Sequence, residues 1–291
     1  MPSIISPTRW WRTLKREWLI YHLGLPEFRF MFDKPPPNEW VSLDCETTGL
    51  NVGTDEIISI GAVRIVGNKI MTSERFEVLV RPERGVSPDS VRIHRLRGQD
   101  VAQGLPTDEA MKQLMRFIGS RPLVGYFLEF DVAMLNRAIW PLLGQGLPQP
   151  KIEVSAMYYD YKFRQMLPYE QQTNPNIDLR FTKLMSDLDL PVREAHDALN
   201  DAVMAAMAFI KLRQLKGARG FNFPSLGARG EVGEHGLHRC ATNGAVFACL
   251  TSLSLVINSP FLPVSVLGSV CVRLWAVATS LRTNSFYSTK V

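Results

Sequence analysis

The sequence predicts an α/β fold, with one mixed β-sheet covered by helices on both faces. Three observations carry that expectation. β-branched runs separated by short turns form an early meander. After the meander, helical and strand patterns alternate, which is the order of an α/β domain. Hydrophobic residues make up 46% of the chain and charged residues 21%, the balance of a globular protein. At 291 residues there is room for one large domain with appendages.

Residues 1–38 form a basic, aromatic extension with six basic and three acidic side chains, so a charge of +3. The stretch from Thr8 to Leu23 reads as a short helix. Its Trp and Lys/Arg residues suit a phosphate backbone or a membrane surface. The default expectation is that the aromatics pack on the neighbouring domain. Lys34-Pro35-Pro36-Pro37 stiffens the link and marks a boundary.

From Glu39 the punctuation is regular. Trp40–Asp44 reads as a first strand, 51–56 as a turn, and Ile57–Val66 as a second strand rich in β-branched residues. Gly67-Asn68 is a turn signal, followed by a third strand over Ile70–Val80. Pro82–Pro88 reads as loop, and Asp89–Leu96 as a short helix carrying His94. Thr107 is expected to cap a helix reaching Ile118, with Asp108 and Glu109 in its first turn, where the helix dipole favours acids. Pro122–Tyr126 is a short fourth strand and Asp131–Trp140 a helix. Ile152–Val154 is a fifth strand. Helices are expected over Tyr158–Gln165, Leu179–Leu188 and Ala198–Leu215.

Beyond residue 216 the composition changes. In residues 217–291 only eight of 75 side chains are charged, and none is Asp. This low-charge tail is expected to be poorly ordered, unless its reading frame is not the native one. Its apolar runs, 245–257 and 261–272, fall short of the ~18–20 residues that span a bilayer, so a membrane partner is not expected. The His235–Cys240 cluster lacks the paired second half of a zinc finger. Cys45, Cys240, Cys249 and Cys271 show no disulfide spacing. The N-terminus lacks the apolar core of a signal peptide, so a cytoplasmic location is expected. The net charge of +5 mildly favours a polyanionic partner, but residues 39–216 carry 21 basic and 23 acidic side chains, so −2. Metal ions and local patches would have to attract nucleic acid to that segment.

Three segments carry candidate chemistry. In Leu43-Asp44-Cys45-Glu46-Thr47-Thr48-Gly49-Leu50, Asp44 and Glu46 are two apart on a strand and share a face. Like charges so close repel unless a cation neutralises them, and hard divalent cations prefer such oxygens. Two solvated acids at a strand end is the alternative. In Tyr126-Phe127-Leu128-Glu129-Phe130-Asp131, Asp131 opens a helix after an apolar strand, and an ordinary N-cap would explain it equally. Glu129 is a weaker acid candidate nearby. In His196-Asp197-Ala198-Leu199-Asn200-Asp201, Asp197 and Asp201 share a helix face, and His196 has a pKa suited to a general base. Capping by His196 and Asp197, with Asp201 solvated, is the alternative there.

Asp-x-Glu-x-Thr-Gly, then Phe-Asp opening a middle helix, then His-x4-Asp opening the last helix: this order resembles the DEDD-type 3′–5′ exonucleases of the histidine subgroup. That superfamily includes the proofreading epsilon subunit of bacterial DNA polymerase III. The resemblance covers about residues 39–215. Ile57–Ile65 is similar to the family's second strand, and Val91-Arg92-Ile93-His94 to the segment holding its additional histidine.

The resemblance implies a ribonuclease H-like fold and two Mg²⁺ or Mn²⁺ ions held by Asp44, Glu46, Asp131 and Asp201. It implies His196 as the base that deprotonates water, with nucleoside 5′-monophosphates released from a 3′ end. Asp197 is not carried over. Thr47, Thr48, Gly49, Leu50, His94, Tyr126 and Phe127 are the implied substrate-binding residues. Tyr126-Phe127 stands where the family often has His-Asn, so substrate orientation is expected to differ. Tyr126, Phe127 or Leu50 would stack on a terminal base, with core packing the alternative for Phe127. Single-stranded DNA is the favoured substrate, and a DNA polymerase is a candidate partner. An exoribonuclease trimming oligonucleotides, or a non-catalytic module binding nucleic acid or a polymerase, are the competing readings.

Overall fold

The computed structural model describes residues 7–85, 91, 95–172, 177–193 and 197–217. The tail from residue 218, with its apolar runs and His235–Cys240 cluster, lies outside them. So do His94, most of the helix expected around it, and His196.

Contacts divide the chain into two units, residues 1–165 with 181–216, and residues 166–180 with 217–291. In the second unit the described residues form a short helix, Pro168–Gln172, and an Arg180–Asp178 ion pair of 2.6 Å. The first unit holds everything else described below.

Five strands make one mixed sheet. They are β1 (Glu39–Thr47), β2 (Ile57–Val66), β3 (Lys69–Leu79), β4 (Leu123–Gly125) and β5 (Lys151–Glu153), ordered β3-β2-β1-β4-β5. β1 runs antiparallel to β2 and parallel to β4, so the central strand joins the meander to the alternating half. The meander matches expectation, though β1 runs three residues beyond Asp44 and so includes Glu46. A register shift falls between Glu46 and Thr47. β2 is buried along nearly its whole length, whereas β3, at the edge, is nowhere fully buried and is exposed through its polar middle, Thr72–Arg75.

The helices of this unit are α1 (Pro7–Tyr21), α2 (Gly98–Ala102), α3 (Thr107–Ile118), α4 (Leu128–Leu143), α5 (Val154–Phe163), α7 (Phe181–Asp187) and α8 (Ala198–Gly217), with α6 the Pro168–Gln172 helix above. A 3-10 turn, Pro26–Phe32, and α2 were not expected from sequence. Thr107 is the first helical residue of α3 and Pro106 the cap, because proline pre-sets the extended entry. α4 begins three residues before Asp131, and Phe127 holds its N-cap position in the left-handed region at φ 53°. Asp131 is therefore a first-turn helical residue and not the N-cap.

β1 is covered on both faces, one of them apolar and the other largely polar. Val41, Leu43 and Cys45 enter a core cluster with Met111, Leu114 and Met115 of α3 and Leu128, Val132 and Leu135 of α4. The opposite face, Trp40, Ser42, Asp44 and Glu46, is covered by α8. Trp40 meets Phe209 edge-on at 5.4 Å, and Arg213 lies over the Trp40 ring at 4.1 Å. The buried Ser42 hydroxyl donates to the carbonyl of Ala202 at 2.8 Å. α8 thus runs back along β1, with its N-terminus at the carboxyl end of the strand. Among the described residues no helix is long and apolar enough to cross a membrane.

The N-terminal extension departs from expectation. Trp10, Trp11 and Trp18 of α1 are exposed and do not pack on the domain. α1 is held instead by its opposite side and its end. Arg16 Nε donates to the Phe32 carbonyl, Gln145 donates to the Leu19 carbonyl, and Leu23 is buried.

α5 and α7 are locked by one carboxylate. Asp187 accepts from Tyr158 Oη at 2.6 Å and Lys162 Nζ at 2.9 Å, and pairs with Lys183. The hydrogen bonds from Lys183, then Tyr158, then Lys162 hold its carboxyl far below the usual aspartate range. A depressed folded-state pKa contributes stability that is present above the unfolded value and lost as pH falls through the folded one. Asp187→Asn is therefore expected to unfold at lower urea concentration than the parent chain at pH 7. The gap should narrow as pH drops below ~4, where the unfolded carboxyl protonates. Equal midpoints at pH 7 would contradict this account.

Candidate active site

Asp44 and Glu46 project from β1 toward the start of α8, and a missing side chain lets that helix come close. Asp44 pairs across the sheet with Gly61 of β2. A Cβ on Gly61 would lie 2.2 Å from the carbonyl carbon of Ala198 and 2.2 Å from the amide nitrogen of Leu199. The backbone of the first turn of α8 therefore rests on Gly61. Asp197 caps that turn, its Oδ1 accepting from the Asn200 amide at 2.8 Å. The cap leaves Asp201, one turn on, to face the strand.

The result is a carboxylate cluster. Asp44, Glu46 and Asp201 each offer an oxygen within 4.8 Å of the others, and all three side chains are half-buried. Three negative charges in that space repel strongly unless cations stand among them. The donors are hard oxygens, the set that Mg²⁺ and Mn²⁺ prefer. The residues present therefore fit divalent cations.

Asp131 lies outside that cluster of three. It is 2% exposed, in the first turn of α4, whose N-terminus follows β4 beside β1. Buried Asp is rare without a compensating charge or hydrogen bonds. Glu129 is exposed, yet partial burial of its carboxyl, and then the neighbouring Glu153 charge, raise its pKa.

The implied substrate-binding residues are placed unequally. Thr47 and Thr48 are buried, and their hydroxyls serve the loop itself. Thr47 donates to the Gly49 carbonyl at 2.7 Å, and Thr48 accepts from the Glu56 amide at 2.9 Å. Gly49 abuts the Asp55 carboxylate, where a Cβ would sit 2.6 Å from Oδ2. Leu50, at the tip of this loop, is 54% exposed. Tyr126 and Phe127 are half-buried and touch at 4.5 Å, and Tyr126 stacks on Phe181 at 4.3 Å and 17°. They form an aromatic ladder at the end of β4.

Two residues of consequence went unnoticed in the sequence. Gly61 is one; an isolated glycine inside a β-branched run signals a close backbone approach. Glu153 is the other. Its carboxylate accepts from the amides of Phe127 at 2.9 Å and Leu128 at 2.8 Å, and from the Ser155 amide and hydroxyl. One side chain thus caps both α4 and α5. It also holds Phe127 in a conformation that L-residues adopt at a cost.

Two predictions test this construction. Gly61→Ala should force α8 off the sheet and destabilise the chain by about 3 kcal/mol. Mn²⁺ affinity should fall with it, since Asp201 moves with the helix. Calorimetric titration and thermal melting would show both, and unchanged values for both would refute the close-approach argument. Glu153→Ala leaves the Phe127 and Leu128 amides without their acceptor. A loss of about 2–3 kcal/mol is expected, read by urea denaturation.

Comparisons with known proteins identify the family and the fold. The family model described as Exonuclease (RNase_T) matches residues 41–209. The DNA polymerase III subunit epsilon-like protein of Rhodobacter capsulatus is 30% identical over 199 residues. That match covers 68% of this chain but only 27% of the relative. The DNA polymerase III subunit epsilon of Aquifex aeolicus is 27% identical over 190 residues, covering 64% of this chain and 86% of the relative. Among solved structures, the zinc-bound complex of Escherichia coli exonuclease I with single-stranded DNA superposes with a TM-score of 0.52 at 17% identity. It covers 63% of this chain and 42% of that one, and supports the ribonuclease H-like fold. From β1 to the last helix, the chain belongs to the RNase_T exonuclease family.

Proposed function

We propose that the chain is a metal-dependent 3′–5′ exonuclease that hydrolyses terminal phosphodiesters, with DNA favoured, and releases nucleoside 5′-monophosphates. The observation that carries the proposal is the convergence of Asp44, Glu46 and Asp201 within 4.8 Å, from a central strand and a helix far apart in sequence. A binding module has no need to hold three like charges together.

In this reading Asp44, Glu46, Asp201 and Asp131 hold the cations, Mg²⁺ or Mn²⁺. When bound, the ions supply positive charge that stabilises the attacking and departing oxygens of an in-line displacement. The chain's own residues do the rest. His196 immediately precedes Asp197, the cap of α8, and takes the proton from the attacking water. A pKa near neutrality suits it to take up that proton and pass it on. Thr47, Thr48 and Gly49 shape the loop that presents Leu50. Leu50 and the Tyr126–Phe127 ladder receive the terminal base by stacking, a contact tolerant of sequence. His94 belongs to the same proposal as a substrate contact. The relatives' names make a DNA polymerase a candidate partner, and the cytoplasm is the proposed location.

The test is degradation of 3′-labelled single-stranded DNA and its RNA counterpart, with Mg²⁺, Mn²⁺ or EDTA. The expected outcome is metal-dependent release of 5′-mononucleotides from DNA. Asp44→Ala and His196→Ala should lower the rate on the order of 10³-fold while circular dichroism stays unchanged. Faster release from RNA would transfer the proposal to an exoribonuclease. Metal binding without cleavage of either strand would sink the enzyme reading.

A further inference from the structure

We propose that α1 docks the protein on an anionic lipid surface. Three of the chain's six tryptophans lie in this one helix. Trp10, Trp11, Leu14, Trp18 and Tyr21 are 60%, 67%, 43%, 60% and 85% exposed. At 3.6 residues per turn these five positions fall within an arc of about 100°. The same rotation puts Arg16, Leu19 and Ile20 on the opposite side, where they are half-buried against the domain. The helix is thus fastened by one face and presents a continuous aromatic stripe on the other. Leaving five large apolar side chains in water on one face is the mark of an interaction site.

The chemistry of the stripe selects its occupant. Trp and Tyr carry an apolar ring with a polar tip, which suits the boundary between headgroups and acyl chains. Lys15 beside the stripe, and Arg29 and Lys34 in the segment that follows, are exposed and basic, and residues 1–38 carry +3. Arg16 and Glu17 pair with each other and so leave that balance intact. Aromatic face and basic flank together match an interfacial helix on anionic lipid. Among the described residues the stripe stands open, its side chains 43% to 85% exposed. Single-stranded nucleic acid favours a basic groove that tracks its backbone, whereas this stripe is aromatic, with Lys15 as the exposed basic residue of α1 beside it among the described side chains. The location argues the same way. α1 ends against the C-terminal end of α4, where the Gly24 amide donates to the Leu143 carbonyl at 3.0 Å. Asp131 is in the first turn of α4, about 18 Å away along the helix axis. A surface bound by α1 would therefore leave the carboxylate cluster open to substrate.

The test uses the full chain and vesicles of phosphatidylcholine with and without phosphatidylglycerol. Co-sedimentation with the anionic vesicles is expected, with a blue shift in tryptophan emission, and weaker binding to the neutral ones. The Trp10→Ala/Trp11→Ala/Trp18→Ala variant should lose about tenfold or more in partitioning. Lys15→Glu should lose binding to the anionic vesicles alone. Both variants should keep the parent's circular dichroism and its Mn²⁺ titration, which separates this result from a failure of the exonuclease reading. Equal partitioning of parent and triple variant would overturn the proposal, since residues outside α1 would then carry the binding. So would an absence of vesicle binding, or a triple variant whose change is confined to oligomeric state or DNA affinity.

Discussion

The candidate site depends on one close approach, the first turn of α8 against the bare backbone of Gly61. No side chain stands between them, and a Cβ would lie 2.2 Å from α8 backbone atoms. That contact sets how near Asp201 comes to Asp44 and Glu46. The rest of the α8 interface then follows as a zipper along β1: the Ser42 hydroxyl on Ala202, and Trp40 against Phe209 with Arg213 over both rings. Each of these contacts fixes the helix a little further from the carboxylates. The apolar length of α8 supplies the stability, and its first turn brings Asp201 to the carboxylate cluster.

Stability and chemistry pull in opposite directions at this point. Grouping Asp44, Glu46 and Asp201 within 4.8 Å costs Coulombic energy in the metal-free chain. Holding Phe127 at φ 53° costs a further ~1 kcal/mol or more. Both costs sit on elements that are otherwise over-determined. β1 is central and covered on both faces, and Phe127 is pinned by the Glu153 carboxylate through its own amide and the next. A strained junction survives because the scaffold on either side is buried.

Much of this was legible in the sequence, for physical reasons. Strand alternation and β-branching located β1, β2 and β3 closely, because a buried sheet tolerates few other residues. The pairing of Asp44 with Glu46 followed from the two-residue period of a strand. Helical spacing put Asp197 and Asp201 on one face; the resemblance, not the spacing, singled out Asp201, and Asp197 is the cap that the competing reading expected. The start of α4 was less legible. Its cap is a backbone conformation, Phe127 in the left-handed region, and its capping partner, Glu153, lies 25 residues downstream of Leu128. No local pattern reports a partner that distant. Gly61 was passed over within a β-branched run, and what it touches required the fold. The exposure of Trp10, Trp11 and Trp18 ran against the default, because local pattern shows that a helix has an aromatic face but not which face meets the domain.

α4 relates these parts to one another. At its N-terminal end, Glu153 holds the turn that leads into Asp131, and the Tyr126–Phe127 ladder begins there. At its C-terminal end, Gly144 in the left-handed region closes the helix, with its amide on the Trp140 carbonyl, and Leu143 accepts the Gly24 amide. Sixteen residues of helix separate the two ends by roughly 24 Å. A helix buried along Leu128, Val132, Leu135, Ile139 and Leu143 is stiff over that distance, because those residues interlock with α3 and β1. Asp131 at one end and the attachment of α1 at the other are thereby kept apart without a linker. A change in α1 is not transmitted to the carboxylates unless α4 itself shifts in the core.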